Sequence, residues 1–388
     1  MKEKIRKIIY KLPFKIFLKN IILLESGPDY SDSTYYVFKE MIKQGINKKY
    51  KLVWIVDDTS KFEDIKIENV IFLGKITDFK TRMKSLYYRT FAKYIIDSNK
   101  YVHKTNKNQY RIHLTHGSPV KKISEYWLQA GEIDSFIVMS DFWENISHNI
   151  FSGSGLVKKY SILGLPRNDV FFEIANKKSF FRELKRKKTI LWLPTYRQHK
   201  NVDSKNLKID SKFEMGIPCF NNIEEINDVN EFLKLKNTIL IIKPHPAQDL
   251  SKIKELDCSN IKIIYDSYFE NHSNLYEYLP SVDALITDYS SVYFDYLLAN
   301  KPIGLAVPDL EEYTKTFEMP YNYNKTVIGE KILNYEDLIK FIDNVANGND
   351  IMKEKRNEIK KIYHKHIDGN ASKRVVEHLK KQMGCDKK

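Results

Sequence analysis

Cysteine is scarce in this chain: Cys219, Cys258 and Cys385 are the only three among 388 residues, and they stand far apart. No disulfide framework and no CxxC zinc site can be drawn from them, which fits a reducing cytoplasm. Long apolar runs are missing too, since no stretch reaches the roughly 18–20 residues that a membrane-spanning helix needs. The N-terminus carries lysines but neither a long apolar core nor a small-residue cleavage site, so no signal peptide is expected. There is no D-x-D carboxylate pair, no His/Asp cluster at ligand spacing and no P-loop G-x-x-x-x-G-K-[ST]. Nor does a G-x-G-x-x-G follow the first strand, which argues against hydride transfer. The expectation is chemistry without a metal or other cofactor. No RNP sequence or zinc finger appears, so nucleic acid is not an expected partner.

What the chain does have is size and positive charge. With 388 residues it is too long for one core and suits two domains of about 150–200 residues. Lysine and arginine number 64 against 50 acidic residues, a formal charge of +14 spread along the chain. Such an excess suits an anionic small substrate or an anionic membrane surface. Residues 1–20, MKEKIRKIIYKLPFKIFLKN, alternate basic and apolar side chains up to a break at Pro13. This basic amphipathic segment can lie in a membrane interface or pack on its own domain with a solvated basic face; the pattern leaves both open.

Beyond it, strands and helices alternate. Strands are expected at Ile21–Leu24, Leu52–Val56, Val70–Leu73, Tyr94–Asp97, Arg111–Leu114 and Ser135–Ser140, with helices at Thr34–Gln44, at Thr77–Thr90 and from Asp141. The second half repeats the alternation with strands at Thr189–Leu193, Thr238–Ile242, Ile261–Ile264, Ala284–Thr287 and Ile303–Val307. Helices are expected at Lys177–Lys187, Ser273–Leu279, from Val292, at Tyr335–Ala346, at Ile351–Lys361 and at the end. Gln198–Asn237 shows little periodicity and reads as a surface excursion. Alternation of this kind means doubly wound parallel sheets, an α/β architecture of two Rossmann-like domains, here divided as 21–168 and 169–388. Such sheets bind ligands at the carboxyl ends of their strands.

Five turns at strand ends carry the polar chemistry: Glu25–Ser33, His116–Lys122, Pro194–Arg197, Lys243–Pro246 and Asp288–Ser291. Facing one another in two doubly wound sheets, they could line one cleft. His116, delivered by a strand to a Gly-Ser-Pro turn, can act as a general base toward a hydroxyl. His113, within the strand, reads as structural. His245 is pinned between Pro244 and Pro246, which fix its orientation. Ser290 and Ser291 fall where a helix begins, with free N–H groups suited to phosphate. Arg167 and Asn168 follow a Gly/Pro turn expected to border the cleft, where arginine suits phosphate.

The ordered series HGSPVKKI, LGLPRND, LPTYR, IIKPHP and LITDYSSVYFDYLLANKPI resembles the CDP-glycerol glycerophosphotransferase family, the teichoic-acid primases and polymerases of bacterial envelope synthesis. SGPDYSDS near residue 30 and DGNASKRVVEHL at the end are also similar, so the resemblance runs from about Leu23 to Leu379. It implies a GT-B fold and transfer of a polyol phosphate from a CDP-linked donor. The implied acceptor is an undecaprenyl-diphosphate-linked saccharide or polymer at the cytoplasmic membrane face, where the enzyme would be peripheral. His116 matches the suspected base, and His245 would steady charge on the departing CMP. The donor-side set is Arg167, Asn168, Thr195, Arg197, Lys243, Asp288, Ser290 and Ser291; the acceptor-side set is Ser31, Asp32, Lys121 and Lys122.

The chain departs from the family at Thr115 and Ser118. It also has Thr314-Lys315-Thr316-Phe317-Glu318 where the family commonly reads R-x-x-R-G, which bears on the choice of donor or acceptor. Its size is nearer a primase or capsule-locus transferase than a large polymerase. Two other readings stand beside the first: a GT-B glycosyltransferase using a sugar nucleotide such as a UDP-sugar, and a basic non-enzymatic protein binding nucleic acid or membrane. The second leaves the histidine turns unexplained.

Overall fold

The computed structural model describes residues 17–99, 102–120, 131–173, 180, 187–195, 213, 215–245, 258–269 and 274–385. Most of the basic N-terminal segment, most of the expected Lys177–Lys187 helix, and Lys121, Lys122 and Arg197 lie outside the described residues. The chain forms two compact units. One takes the described residues of Met1–Ser118, Ile123–Phe172 and Tyr363–Lys388; the other is built on Glu173–Ile362.

The first unit holds β1 (Lys19–Glu25), α1 (Asp32–Lys43), β2 (Lys51–Ile55), β3 (Val70–Leu73), α2 (Phe79–Phe91), β4 (Ala92–Asp97), β5 (Tyr110–His113), β6 (Ser135–Val138), α3 (Asp141–Phe151) and β7 (Tyr160–Ile162). The strands pair in the order β3-β2-β1-β4-β5-β6-β7, and every pairing is parallel. Because successive side chains point to opposite faces, Ile22 and Leu24 enter one core with Phe38, Met41, Trp54 and Ile112. Ile21 and Leu23 enter the other with Val53 and Ile95. The order reverses between β1 and β4, so the turn after β1 sits at the switch point where such sheets bind ligands.

The second unit holds β8 (Lys188–Trp192), α4 (Ile223–Leu235), β9 (Thr238–Ile242), β10 (Ile261–Ile263), β11 (Ala284–Thr287), α5 (Val292–Tyr296), β12 (Ile303–Ala306), α6 (Leu310–Thr316), α7 (Tyr323–Thr326), β13 (Glu330–Ile332) and α8 (Tyr335–Asn347). Its sheet runs β10-β9-β8-β11-β12-β13, again all parallel, with the reversal between β8 and β11. In α8, Leu338, Phe341, Ile342 and Val345 recur at helical spacing and join Trp192, Leu240 and Ile286 in one core. A further helix, α9 (Lys353–Tyr363), ends at the boundary between the units.

The expected division at 168/169 falls instead at 172/173, and the C-terminal segment belongs to the first unit. The reason is the last helix, α10 (Ala371–Cys385). Its Val375, Val376 and Leu379 are fully buried among Ile22, Val37 and Ile137. Burial on that scale stabilises by about 1.5–3 kcal/mol per side chain. The Asp169 carboxylate also accepts the N–H groups of Ala371 and Ser372, both at 2.8 Å, and so caps α10 from a distant turn.

Three local expectations are corrected. The stretch read as irregular contains α4, capped by the Asn222 side chain, which accepts the Glu225 N–H at 2.8 Å. Its buried stripe of Ile226, Val229 and Leu233 is diluted in sequence by Glu, Asn and Asp. The described part of Ser273–Leu279 holds only a short 3₁₀ turn, Leu275–Glu277, followed by another at Leu279–Ser281, since Pro280 lacks a donor to continue a helix. The edge strands β7 (Tyr-Ser-Ile) and β13 (Glu-Lys-Ile) were not expected because each lacks an apolar run, whereas the equally short β10 continues its isoleucines into Ile264.

Candidate functional site

In the first unit, the turns after β1, β5 and β7 come together. Ser31 and Asp32 follow β1, where the Ser31 hydroxyl donates to the Pro28 carbonyl at 2.6 Å rather than capping α1. Asp32 stands at φ +55°, a left-handed conformation that Asp tolerates better than most residues. Its carboxylate takes the Ser33 N–H at 2.6 Å. His116 follows β5 through Thr115, also left-handed at φ +56°. The His116 Nδ1 lies 2.8 Å from Asp32 Oδ2, with the histidine side chain 58% exposed and that of Asp32 only 6%. Arg167 follows β7 and places Nη1 3.2 Å from both Asp32 oxygens.

Burial works against an ionised Asp32. The Arg167 charge, the His116 hydrogen bond and the Ser33 N–H outweigh it and hold the carboxyl well below the usual carboxylate range. An ionised Asp32 accepts, so Nδ1 of a neutral His116 donates, which leaves Nε2 as the acceptor nitrogen of a largely exposed ring. A largely exposed histidine oriented by a buried carboxylate is the arrangement of a general base.

His113 has a different setting. Its Nδ1 lies 2.7 Å from Asp97 Oδ1, and Asp97 Oδ2 accepts the Arg111 Nε–H at 3.0 Å, with Nη2 2.8 Å away in the same ion pair. All three side chains are fully buried, and burial lowers the His113 pKa. This cluster ties β4 to β5 beneath the His116 turn.

In the second unit, Asp288 and Thr195 meet at the switch point between β11 and β8. The Thr195 N–H and hydroxyl both donate to Asp288, at 3.0 and 2.5 Å. Tyr289 N–H donates to the same carboxylate at 2.6 Å, and the Tyr323 hydroxyl donates to the Asp288 carbonyl at 2.9 Å. The Asp288 carboxylate is therefore a brace for the turn. The half-buried Ser290 hydroxyl accepts the Val292 N–H at 3.4 Å, whereas Ser291 makes no capping bond at the five-residue α5. Lys243 is paired with Asp266 at 2.8 Å, and His245 is exposed just past β9.

Arg167 and Asn168 are buried within the first unit, which corrects the expectation of an open arginine: its guanidinium is spent on Asp32. Asp32, expected to face the acceptor, has its two oxygens occupied by Arg167, His116 and Ser33. The Asp32–His116–Arg167 cluster was not foreseen, because its members lie 84 and 135 positions apart. Among the described residues no three His, Cys, Asp or Glu side chains cluster as a metal site, and no helix is long and apolar enough to cross a membrane.

Comparison with known proteins agrees with the motif series. The model of the CDP-glycerol:poly(glycerophosphate) glycerophosphotransferase family matches residues 7–381. The chain belongs to this family. It is similar to the teichoic acid poly(glycerol phosphate) polymerase of Bacillus spizizenii, at 26% identity over 96% of each chain. It is also similar to the teichoic acid glycerol-phosphate primase of Bacillus subtilis, at 31% identity over 59% of this chain and 53% of that one. The solved wall teichoic acid polymerase TagF matches with a TM-score of 0.71 at 20% identity, covering 99% of this chain and 94% of that one. This likeness shows the fold, GT-B with two Rossmann-like units. The protein is accordingly an enzyme of the glycerophosphotransferase class.

Proposed function

We propose that the protein transfers glycerol phosphate, or a related polyol phosphate, from its CDP derivative to a hydroxyl of a lipid-linked saccharide or polymer in teichoic acid synthesis. The observation that carries the reading is His116, held at Nδ1 by the buried Asp32 while its side chain is 58% exposed. An acceptor hydroxyl gives its proton to Nε2 while its oxygen bonds to the β-phosphorus of the donor. The bond from that phosphorus to the bridging oxygen breaks, and CMP leaves with the electron pair. His245, exposed at the end of β9, is assigned to the donor phosphates, as are Ser290 and the braced Thr195 turn. Positive side chains and N–H groups aimed at the diphosphate would carry the electrostatic load. No divalent metal is required in this scheme.

The acceptor is placed at an anionic bilayer. Helix α2 supports this, because Phe79 is 78% exposed and Leu86 48%, with Met83 and Tyr87 open on the same stripe. Lys80, Arg82, Lys84 and Arg89 share the helix, and residues 79–91 contain no Asp or Glu. Apolar side chains pressed into the headgroup boundary with cations around them is how a helix lies on an anionic membrane.

The test is CMP release from CDP-glycerol, with a lipid-diphosphate disaccharide acceptor and excess EDTA. Acceptor-dependent release supports the reaction and the absence of a metal requirement; release only after Mg²⁺ is restored removes the second. Thermal protection by UDP and not CDP would move the assignment to a sugar-nucleotide glycosyltransferase. Pelleting with phosphatidylglycerol vesicles that survives Phe79→Asp with Leu86→Asp would sink the membrane face.

A further inference from the structure

The geometry points to Asp32 and Arg167 as a positioning pair for the base: Asp32 fixes the His116 tautomer, and Arg167 fixes Asp32. This inference rests on the reading of His116 as the base. Neither side chain is open to a substrate, since Asp32 is 6% exposed and Arg167 2%. Each is instead one link in a chain of contacts that runs from the body of the first unit to the imidazole.

The chain starts at α10, whose first N–H groups are held by Asp169. Two residues before Asp169, Arg167 is thereby clamped to the unit. Its Nη1 sits 3.2 Å from both Asp32 oxygens. Asp32 is oriented a second time by the Ser33 N–H at 2.6 Å, so its carboxylate has little freedom to turn. The remaining lone pairs face His116 Nδ1 at 2.8 Å. The outcome is one permitted tautomer, Nδ1–H, with Nε2 able to accept.

The same links act when the acceptor proton arrives at Nε2. The ring then carries a proton on each nitrogen and a positive charge, and Asp32 stays ionised beside it. The guanidinium keeps the carboxylate from taking the Nδ1 proton, so the base and not Asp32 holds the charge. When the ring returns its proton to solvent, the cluster is reset with no net gain or loss.

Asp32→Asn tests this, because the amide keeps the shape but can turn an N–H₂ toward Nδ1 and favour the wrong tautomer. The expected result is a kcat for CMP release lower by about 10²–10⁴-fold, with KM for CDP-glycerol within about threefold. In a His116→Ala background, adding Asp32→Asn should cost no further rate. If Asp32→Asn slows that background as much as it slows the wild type, Asp32 acts through structure alone and the inference fails, with the base reading intact. If His116→Ala is not slowed at all, the base reading itself fails. Should Asp32→Asn not fold, ¹⁵N-histidine NMR of the unaltered chain decides. Nδ1–H at His116 supports the inference, and Nε2–H overturns it. Arg167→Met should cost rate through kcat in the same manner; a loss confined to KM for CDP-glycerol would return Arg167 to the donor.

Discussion

His113 and His116 stand three residues apart, and each sets its Nδ1 on a carboxylate, Asp97 at 2.7 Å and Asp32 at 2.8 Å. Each carboxylate also pairs with an arginine, Arg111 in one case and Arg167 in the other. The two clusters therefore share their chemistry and differ in burial. His113 is sealed in the sheet, where burial keeps the ring neutral and the cluster joins two strands. His116 is 58% exposed, so a nearly identical set of contacts leaves the ring largely open to solvent. A His–Asp–Arg arrangement is thus no mark of catalysis by itself; what decides is whether the second nitrogen can meet a substrate.

The comparison breaks most sharply by mutation. His116→Ala should lower acceptor-dependent CMP release by about 10²–10⁴-fold. It should move stability by no more than about 1 kcal/mol, because the side chain is largely exposed. Equal losses of rate and of CDP protection in thermal melts would count against the base.

Asp97→Ala should do the opposite. It strands the buried Arg111 charge, and urea denaturation should show a loss of about 3–5 kcal/mol. A variant of near-normal stability would mean that the buried cluster is not structural.

Acid sharpens the same contrast. Burial opposes ionisation of Asp97 as it does of Asp32, but the Arg111 charge and the His113 hydrogen bond prevail, and both carboxyls are held below their ordinary range. The unfolded chain, with carboxyls near about 3.9, takes up protons that the fold resists. Stability is thus fully present above that value. It should fall below about pH 4 and keep falling as the depressed folded-state values are crossed. Urea midpoints measured from pH 6 downward read this directly, and a flat profile would contradict it.

The smallest effect is expected in the second unit, where Asp288 braces Thr195. Thr195→Val deletes one hydroxyl donor to a buried carboxylate, worth about 1–3 kcal/mol. The loss should appear as weaker thermal protection by CDP, with kcat at saturating donor nearly kept. A fall in kcat alone would make this turn part of the chemistry and erase the division of labour between the two Asp-braced turns.

Much of the fold was legible because parallel strands buried on both faces write themselves as short apolar runs. Thr238–Ile242 and Ala284–Thr287 have the same bounds in the structure as in the sequence. α4 was lost because its apolar stripe is diluted by Glu, Asn and Asp, and β7 and β13 because neither Tyr-Ser-Ile nor Glu-Lys-Ile forms an apolar run. Of the candidate site, the turns were legible from their Gly, Pro and His content, and His113 was read as structural from its place within a strand, where it is fully buried. The partners of those residues were not. Asp32 read as a group facing the acceptor and Arg167 as an open phosphate ligand, although each spends its charge on the other.

By itself, then, the sequence determined the family through the order of its motifs, and the architecture through its alternation of apolar strands and amphipathic helices. Periodicity and local turn chemistry are properties of neighbouring residues, so they survive in one dimension. Only the tertiary structure decided that Asp32, His116 and Arg167 form one cluster, that Asp169 caps α10, and that α10 returns to the first core. These contacts join residues from 84 to more than three hundred positions apart. Their partners are chosen by where a parallel sheet brings its strand ends together, and nothing in the local pattern records that.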